Sequence, residues 1–460
     1  MGVYTTSDPA TGEKIAQYPE ISDAEMDDLI GSSATAYRTW RTTPLTQRRA
    51  VLVRTAEIYR EQADELAELL TMEMGKPITQ AKGEVALVAS IYQYYADHVE
   101  EFMADEHLDI AGPGTAVVRT EPIGPLVGVM PWNYPFYQVA RFAAPNIALG
   151  NTIVLKHARN CPQSALAIAR VLTEAGLPDG VYLNAFISSA QVADAVADPR
   201  VQGVSLTGSE KAGSAVGEVA GRHMKKCVLE LGGSDPFIVL RDADVDAAAA
   251  AAVVGRFANG GQACTASKRF LVEEPVYDEF VRKFLDGTAG WQPDEPTNPG
   301  TKLGPLSSRS AVDELDELVQ DAISHGAEAL TGGHRPSGNG AYYPPTVLVG
   351  VTTEMRAYHE ELFGPVAVVH RVGSLDEAIG MANDSPFGLG ASVFTSDPQQ
   401  ADRVAAELDT GMVWINSTSK SSPDLPFGGV KRSGIGRELA RFGFNEFANK
   451  KLVRNMEGKR

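Results

Sequence analysis

Cys264 stands in Asn259-Gly260-Gly261-Gln262-Ala263-Cys264-Thr265, directly after a helical run. Two consecutive glycines and a glutamine are costly inside a packed core, and they suit a loop whose backbone comes close to a ligand. A thiolate is a strong nucleophile, but a free thiol with a pKa of about 8.5 is only a few per cent ionised at neutral pH. A nucleophilic Cys264 therefore needs a base or a local cation. Glu230, 34 residues earlier, ends an apolar strand and is followed by Leu231-Gly232-Gly233. A carboxylate there is partly desolvated, which raises its pKa and lets it act as a base near neutrality. Asn133 lies in Met130-Pro131-Trp132-Asn133-Tyr134-Pro135, fixed between two prolines and two aromatic residues. Its amide can donate to a developing oxyanion, an interaction worth roughly 3–4 kcal/mol in comparable sites. The plainer readings are a capping or salt-bridging glutamate and a turn-forming asparagine. Cys227, inside an apolar strand, and Cys161, beside Pro162 at a helix start, read as structural.

Strands and helices must bring these residues together. The chain opens with a short strand, the turn Ser7-Asp8-Pro9-Ala10-Thr11-Gly12-Glu13 and a second strand. From Ser22 to His107 the pattern is helical, with Leu52, Ala56, Tyr59, Ala63, Leu66 and Leu70 on one face. After Gly112-Pro113-Gly114 the texture changes. Residues 115–130 read as two strands joined by a Pro/Gly turn. Strands at 151–156, 181–186, 203–208, 227–233 and 236–240 then alternate with helices at 164–175 and 209–221. Such alternation predicts an α/β fold with a parallel, doubly wound sheet. A second α/β block follows from about Ala247 to Asn416. Its apolar stretch 247–255 is half the length needed to span a bilayer and reads as a buried helix. The basic tail 441–460 lacks room for its own core and is expected to dock on a neighbour.

Composition bounds what such a molecule can bind. Lys plus Arg total 41 and Asp plus Glu 59 in 460 residues, a formal net charge of −18. That balance argues against nucleic acid or an anionic membrane as the main partner, since both need a cationic face. Three separated cysteines give no disulfide framework, and the opening residues have neither a basic nor an apolar signal region. Both observations predict a cytoplasmic protein. No metal is called for.

No G-x-G-x-x-G fingerprint follows the first parallel strand. Ser433-Gly434-Ile435-Gly436 contains a G-x-G but sits late and lacks the third glycine. Leu206-Thr207-Gly208-Ser209 does follow a strand, and it opens a helix whose N-terminus can receive a pyrophosphate.

In chain order, MPWNYP, the Leu-Thr-Gly-Ser turn, ELGG, GGQAC, Glu361-Leu362-Phe363-Gly364-Pro365 and PFGGVK resemble the aldehyde dehydrogenase superfamily across essentially the whole sequence. The stretches around LKHA, ELGGSDPFIVL and NGGQAC are most similar to its bacterial succinate-semialdehyde dehydrogenase branch. The resemblance implies a Rossmann-type cofactor domain (1–110 and 123–230), an α/β catalytic domain (231–425) and a strand-and-tail oligomerisation element (111–122 and 441–460). It implies a homodimer or homotetramer. It also implies oxidation of succinate semialdehyde to succinate, with broader aldehyde oxidation or a CoA-acylating reaction as alternatives.

In that scheme Cys264 attacks the aldehyde, Asn133 holds the oxyanion and Glu230 activates the hydrolytic water. Trp132, Asn133, Lys156, His157, Gly208, Ser209, Leu231, Glu361 and Phe363 would surround the cofactor. In NAD-preferring relatives a Glu often stands three residues after the Lys; here that position is Arg159. A guanidinium can pair with a 2′-phosphate, so NADP is expected over NAD, with NAD also used. Arg141, nine residues after Trp132, and Ser421 match positions that hold the substrate carboxylate in that branch. A second such Arg is replaced by Ala258, and Ala266 excludes a disulfide switch two residues after Cys264.

Overall fold

A computed structural model describes residues 2–457; of the tail singled out above, 458–460 lie outside the described residues. Two mainly parallel sheets carry the molecule. The first runs in the order Gly434–Ile435, Lys226–Glu230, Gly203–Thr207, Pro125–Val129, Thr152–Lys156, Tyr182–Asn184, and only its Gly434–Ile435 edge is antiparallel. The chain leaves Pro125–Val129 in one direction through Thr152–Lys156 and returns on the other side through Gly203–Thr207. The segment after Pro125–Val129 therefore starts at a topological switch point, where α/β sheets bind ligands. That segment carries Trp132 and Asn133.

The second sheet has the order Glu328–Thr331, Thr346–Val349, Val366–Val372, Ser267–Glu273, Asp235–Val239, Gly390–Phe394, Met412–Ile415. It is parallel except at its Glu328–Thr331 edge. Lys226–Glu230 and Asp235–Val239 are separated only by Leu231-Gly232-Gly233-Ser234, so this short link joins the two sheets.

Between strand and site lies the helix Pro135–Leu149, every residue of which is buried. It has Pro135 in its first turn and ends at Gly150 with φ +107°, a left-handed cap that glycine adopts without strain. A Cβ at Gly128 would meet Leu155 and Phe142 at 2.8 Å, so glycine lets this helix sit directly on its sheet. Each large apolar side chain buried in that contact stabilises the fold by roughly 1.5–3 kcal/mol.

Two local expectations need correcting, while the two strands expected within 115–130 are both present and enter different sheets. Thr115–Pro122 pairs over eight residues with Ala448–Asn455 and also with Glu106–His107, forming a separate sheet. His107 thus ends in a strand rather than a helix. The helix Val245–Phe257 is buried on one face only, with Val254 half-exposed on the other. No helix among the described residues is long and apolar enough to cross a membrane.

Candidate active site

The loop before Cys264 is held by its own chain. Asn259, Gly260 and Gly261 have φ values of +54°, +65° and +70°, three consecutive left-handed residues. A Cβ at position 261 would collide with the Gly364 carbonyl and the Arg256 guanidinium. The glycines therefore answer to backbone conformation and internal packing. Arg256, fully buried, donates to the carbonyls of Ser267, Gly261, Leu362 and Gly364. It points away from the substrate side and does not replace the arginine missing at Ala258. Lys268 Nζ donates to the Ala263 and Cys264 carbonyls at 3.0 and 2.9 Å.

Asn133 reaches this loop from the first sheet. Its Nδ2 donates to the Gln262 carbonyl at 3.1 Å, while Asn259 Nδ2 donates to the Asn133 carbonyl at 3.0 Å. The second Nδ2 hydrogen is left over, and the Cys264 backbone N–H donates to no protein group among the described residues. These are two donors of the kind an oxyanion needs.

The ionisable groups are dominated by burial. Burial pushes the Cys264 thiol up to about 12, the Glu230 charge adds to the rise, and Arg141 and Lys268 oppose it. Glu230 is buried at the end of its strand and its carboxyl is held well above the ordinary carboxylate range. Burial is the main cause; Arg141 opposes it and Glu438 adds to it. Neither Glu230 oxygen has a hydrogen-bond partner; its closest cation is Arg141, with Nη2 3.7 Å from Oε2. A desolvated, unbonded carboxylate beside a thiol is suited to moving protons.

Arg141 was expected to hold the substrate carboxylate, and the structure places its guanidinium close to Glu230. Its side chain is fully buried and its Nε is paired with Glu438. Phe427 covers it at 4.4 Å from the ring centroid. The charge of Arg141 is already compensated, and it does not line the cavity that meets Cys264. It acts through neighbours instead: Nη1 donates to the Tyr137 hydroxyl at 3.4 Å, and that hydroxyl donates to Ser421 Oγ at 2.9 Å. Glu438 was missed. Its sequence signal was the acidic residue after Gly436-Arg437, just beyond the G-x-G set aside as uninformative. That Gly434–Ile435 segment pairs with Leu229 and Glu230, so it braces the base.

Cys264 opens on a cavity of about 340 Å³, walled by Leu87, Tyr134, Tyr137, Gln138, Phe427 and the segment Ser419-Lys420-Ser421. On the other side, Trp132, Glu361 and Phe363 share a second cavity of about 280 Å³. Trp132 and Phe363 meet edge to face at 5.6 Å, and Glu361 is paired with Lys268 at 3.0 Å. Further along the first sheet, Ser209 caps the helix Glu210–Arg222 by accepting from Ala212 N. The Gly208 N–H goes to the Glu230 carbonyl at 2.9 Å, so it is not free for a pyrophosphate. A Cβ there would meet nothing closer than 3.7 Å, and the bare Cα leaves room for a ligand. Leu231 packs on the face of that helix at Gly213.

Lys156 ends its strand with its ammonium pushed down to about 8, by burial and then by Arg159. Arg159 is half-exposed and paired with Glu20. His157 needs correction as a ligand. It is fully buried, with Nε2 3.0 Å from the Pro135 carbonyl and Nδ1 accepting from Ala158 N at 2.8 Å. Burial pushes it down to about 4, so it is a neutral strut between the strand end and the Pro135 turn.

Residues 2–453 match the model of the aldehyde dehydrogenase family. The chain is 53% identical over 451 residues to the succinate-semialdehyde dehydrogenase [NADP(+)] of Deinococcus radiodurans, covering 98% of this chain and 94% of that one. It is 45% identical to succinate-semialdehyde dehydrogenase [NADP(+)] 1 of Mycobacterium ulcerans, covering 97% and 98%. The crystal structure of succinic semialdehyde dehydrogenase from Streptococcus pyogenes in complex with NADP+ superposes with a TM-score of 0.96 at 42% identity, covering 98% of this chain and 99% of that one.

Proposed function

The chain belongs to the aldehyde dehydrogenase family, and from that premise we propose that it oxidises succinate semialdehyde to succinate with NADP. The observation that carries the chemistry is Cys264 at the wall of a largely apolar cavity, in a loop whose Gln262 carbonyl accepts from the Asn133 amide, with the charge of the unbonded Glu230 acting on its thiol. Glu230 takes the thiol proton as Cys264 attacks the aldehyde carbon. The Asn133 amide and the Cys264 N–H hold the oxyanion of the thiohemiacetal. NADP, held by the residues named below, would supply the hydride acceptor, and loss of hydride turns the thiohemiacetal of Cys264 into a thioester. Glu230 then draws a proton from water, which hydrolyses that thioester and releases the acid.

The dinucleotide fits the residues present. Trp132, Glu361 and Phe363, which share one cavity, with Leu231, would hold the nicotinamide, and the Ser209-capped helix start would receive the pyrophosphate. Lys156 and Arg159 supply two cations for the adenosine ribose and its 2′-phosphate. Arg159 in place of a carboxylate supports NADP over NAD. On the substrate side Ser421 uses its own hydrogen toward a carboxylate, because its oxygen already accepts from Tyr137. The two sheets support cofactor binding by 1–110 and 123–230 and catalysis by 231–425. The strand Thr115–Pro122 with its partner Ala448–Asn455 supports a homodimer or homotetramer built on that element. Three cysteines without a disulfide suit a reducing cytoplasm.

The test is kcat/KM for succinate semialdehyde and for butanal, each with NADP and NAD. Preference for the charged aldehyde and for NADP is expected. Equal values for both aldehydes would remove the substrate assignment and leave the chemistry standing.

A further inference from the structure

The helix Pro135–Leu149 starts just after Asn133, and it starts without a capping side chain of its own. Tyr134 stands at the cap position and its side chain makes no cap hydrogen bond, while Pro135 has no N–H to satisfy. The first bond within the helix runs from Gln138 N to the Tyr134 carbonyl at 3.0 Å, so the N–H groups of Phe136 and Tyr137 need acceptors from elsewhere. Both find the same atom. Glu84 Oε1, on the helix Ile78–Phe102, accepts from Phe136 N at 3.0 Å and from Tyr137 N at 3.1 Å.

The other oxygen of Glu84 is paired with the Lys76 ammonium, and both side chains are fully buried. Lys76 Nζ also lies 3.7 Å from the centroid of the Tyr134 ring. Burial pushes that ammonium down, and the charge of Glu84 opposes the fall. A buried ion pair is a weak way to hold a fold together, since apolar side chains of the same volume do as well without the desolvation. What an apolar pair cannot supply is an anionic acceptor at the positive end of a helix. Gly83 and Leu87, from the same helix as Glu84, line the cavity onto which Cys264 opens, as do Tyr134 and Tyr137.

Resting on the oxyanion reading above, we propose that Glu84, held by Lys76, is a positioning residue that sets the Asn133 amide for the thiohemiacetal oxyanion. Asn133 is tied to the nucleophile loop through Gln262 and Asn259. Glu84 fixes the opposite side, where the chain turns into the helix, together with His157 at the Pro135 carbonyl. One oxygen gripping two consecutive N–H groups leaves that first turn little latitude. Without it the turn can shift and carry Asn133 along, and a misplacement of about 1 Å can cost about a hundredfold in rate.

Three variants separate the acceptor from the charge. Lys76→Met with Glu84→Gln removes both charges and keeps an oxygen for the two N–H groups. Lys76→Met with Glu84→Leu removes the oxygen as well. Glu84→Asp keeps the charge pair and withdraws the carboxylate by one methylene. The rate of NADPH formation in the first turnover with succinate semialdehyde is measured for each, with Asn133 intact and with Asn133→Ala, alongside Tm. The first variant should keep most of the rate, Glu84→Asp should lose about tenfold and the second variant about a hundredfold, through kcat more than KM. With Asn133→Ala the same changes should lower the rate little further, because the group they position is already gone. Should the second variant not fold, Glu84→Asp carries the same comparison. A loss of equal factor with and without Asn133, or a lowered Tm with the first-turnover rate intact, makes the pair purely structural and overturns the proposal. An Asn133→Ala enzyme as fast as the wild type overturns the oxyanion reading, and the proposal with it.

Discussion

At the residue scale, Cys264 rests as a thiol. Burial, with Glu230 beside it, outweighs the help of Arg141 and Lys268, so the thiolate fraction at neutral pH is small. Below a raised pKa that fraction grows tenfold per pH unit. Inactivation of the free enzyme by iodoacetamide should therefore keep accelerating from pH 6 to pH 9; a plateau above pH 7 would mean a preformed thiolate. Glu230 is also raised, so its basic form, and with it thioester hydrolysis, should increase with pH above the usual carboxylate range. Glu438 contributes to that rise. Glu438→Gln removes a neighbouring negative charge and leaves Arg141 to face Glu230, so the pH profile of hydrolysis should move to lower pH. It should also cost about 3–5 kcal/mol of stability, because a buried charge pair is broken from one side. An unmoved profile with lowered stability would make Glu438 purely structural. Cys264, Glu230 and Asn133 stood out in the sequence because each sits among glycines or prolines that a plain core would not choose. The engagement of Arg141 did not, since its partner lies far along the chain and only the folded molecule brings them together.

At the scale of elements, the N-terminal hairpin joins the cofactor side. The strand Lys14–Pro19 leads into Glu20, which pairs with Arg159, while Tyr4 on the first strand lies 5.8 Å under Lys156 and 5.7 Å under Arg159. A 2′-phosphate must compete with Glu20 for that guanidinium. Glu20→Gln should therefore raise the NADP/NAD ratio of kcat/KM several-fold, and Arg159→Glu should lower it. No change in either variant would remove Arg159 from cofactor selection. The alternation of strands and helices was readable from apolar runs and Pro/Gly breaks. Which strands share a sheet was not: Thr115–Pro122 and Pro125–Val129 are neighbours in sequence, yet they pair with partners in different sheets. Local pattern sets the element, and distant contacts set its partner. The same limit applies to the loop before Cys264. Its glycines were visible, but the reason for them lies in Arg256 and Gly364.

At the scale of the whole molecule, a net charge of −18 means that an anionic substrate and cofactor depend on cations placed locally, such as Lys156 at the end of its strand. The sheet containing Thr115–Pro122 and Ala448–Asn455 leaves Leu452 exposed, with Phe442 exposed nearby in the chain. Sedimentation should find a dimer or tetramer, and Leu452→Asp with Phe442→Asp should shift it toward monomer; a wild type that is only monomeric would contradict this. The central claim is that Cys264 carries the acyl group and Glu230 releases it. It is tested most directly by mixing Glu230→Gln with succinate semialdehyde and NADP, following reduced cofactor and the mass of the Cys264 peptide together. A stoichiometric burst of NADPH, then slow turnover, with a succinyl group on Cys264, is the result expected. Steady turnover at the wild-type rate with no group on Cys264 would contradict it.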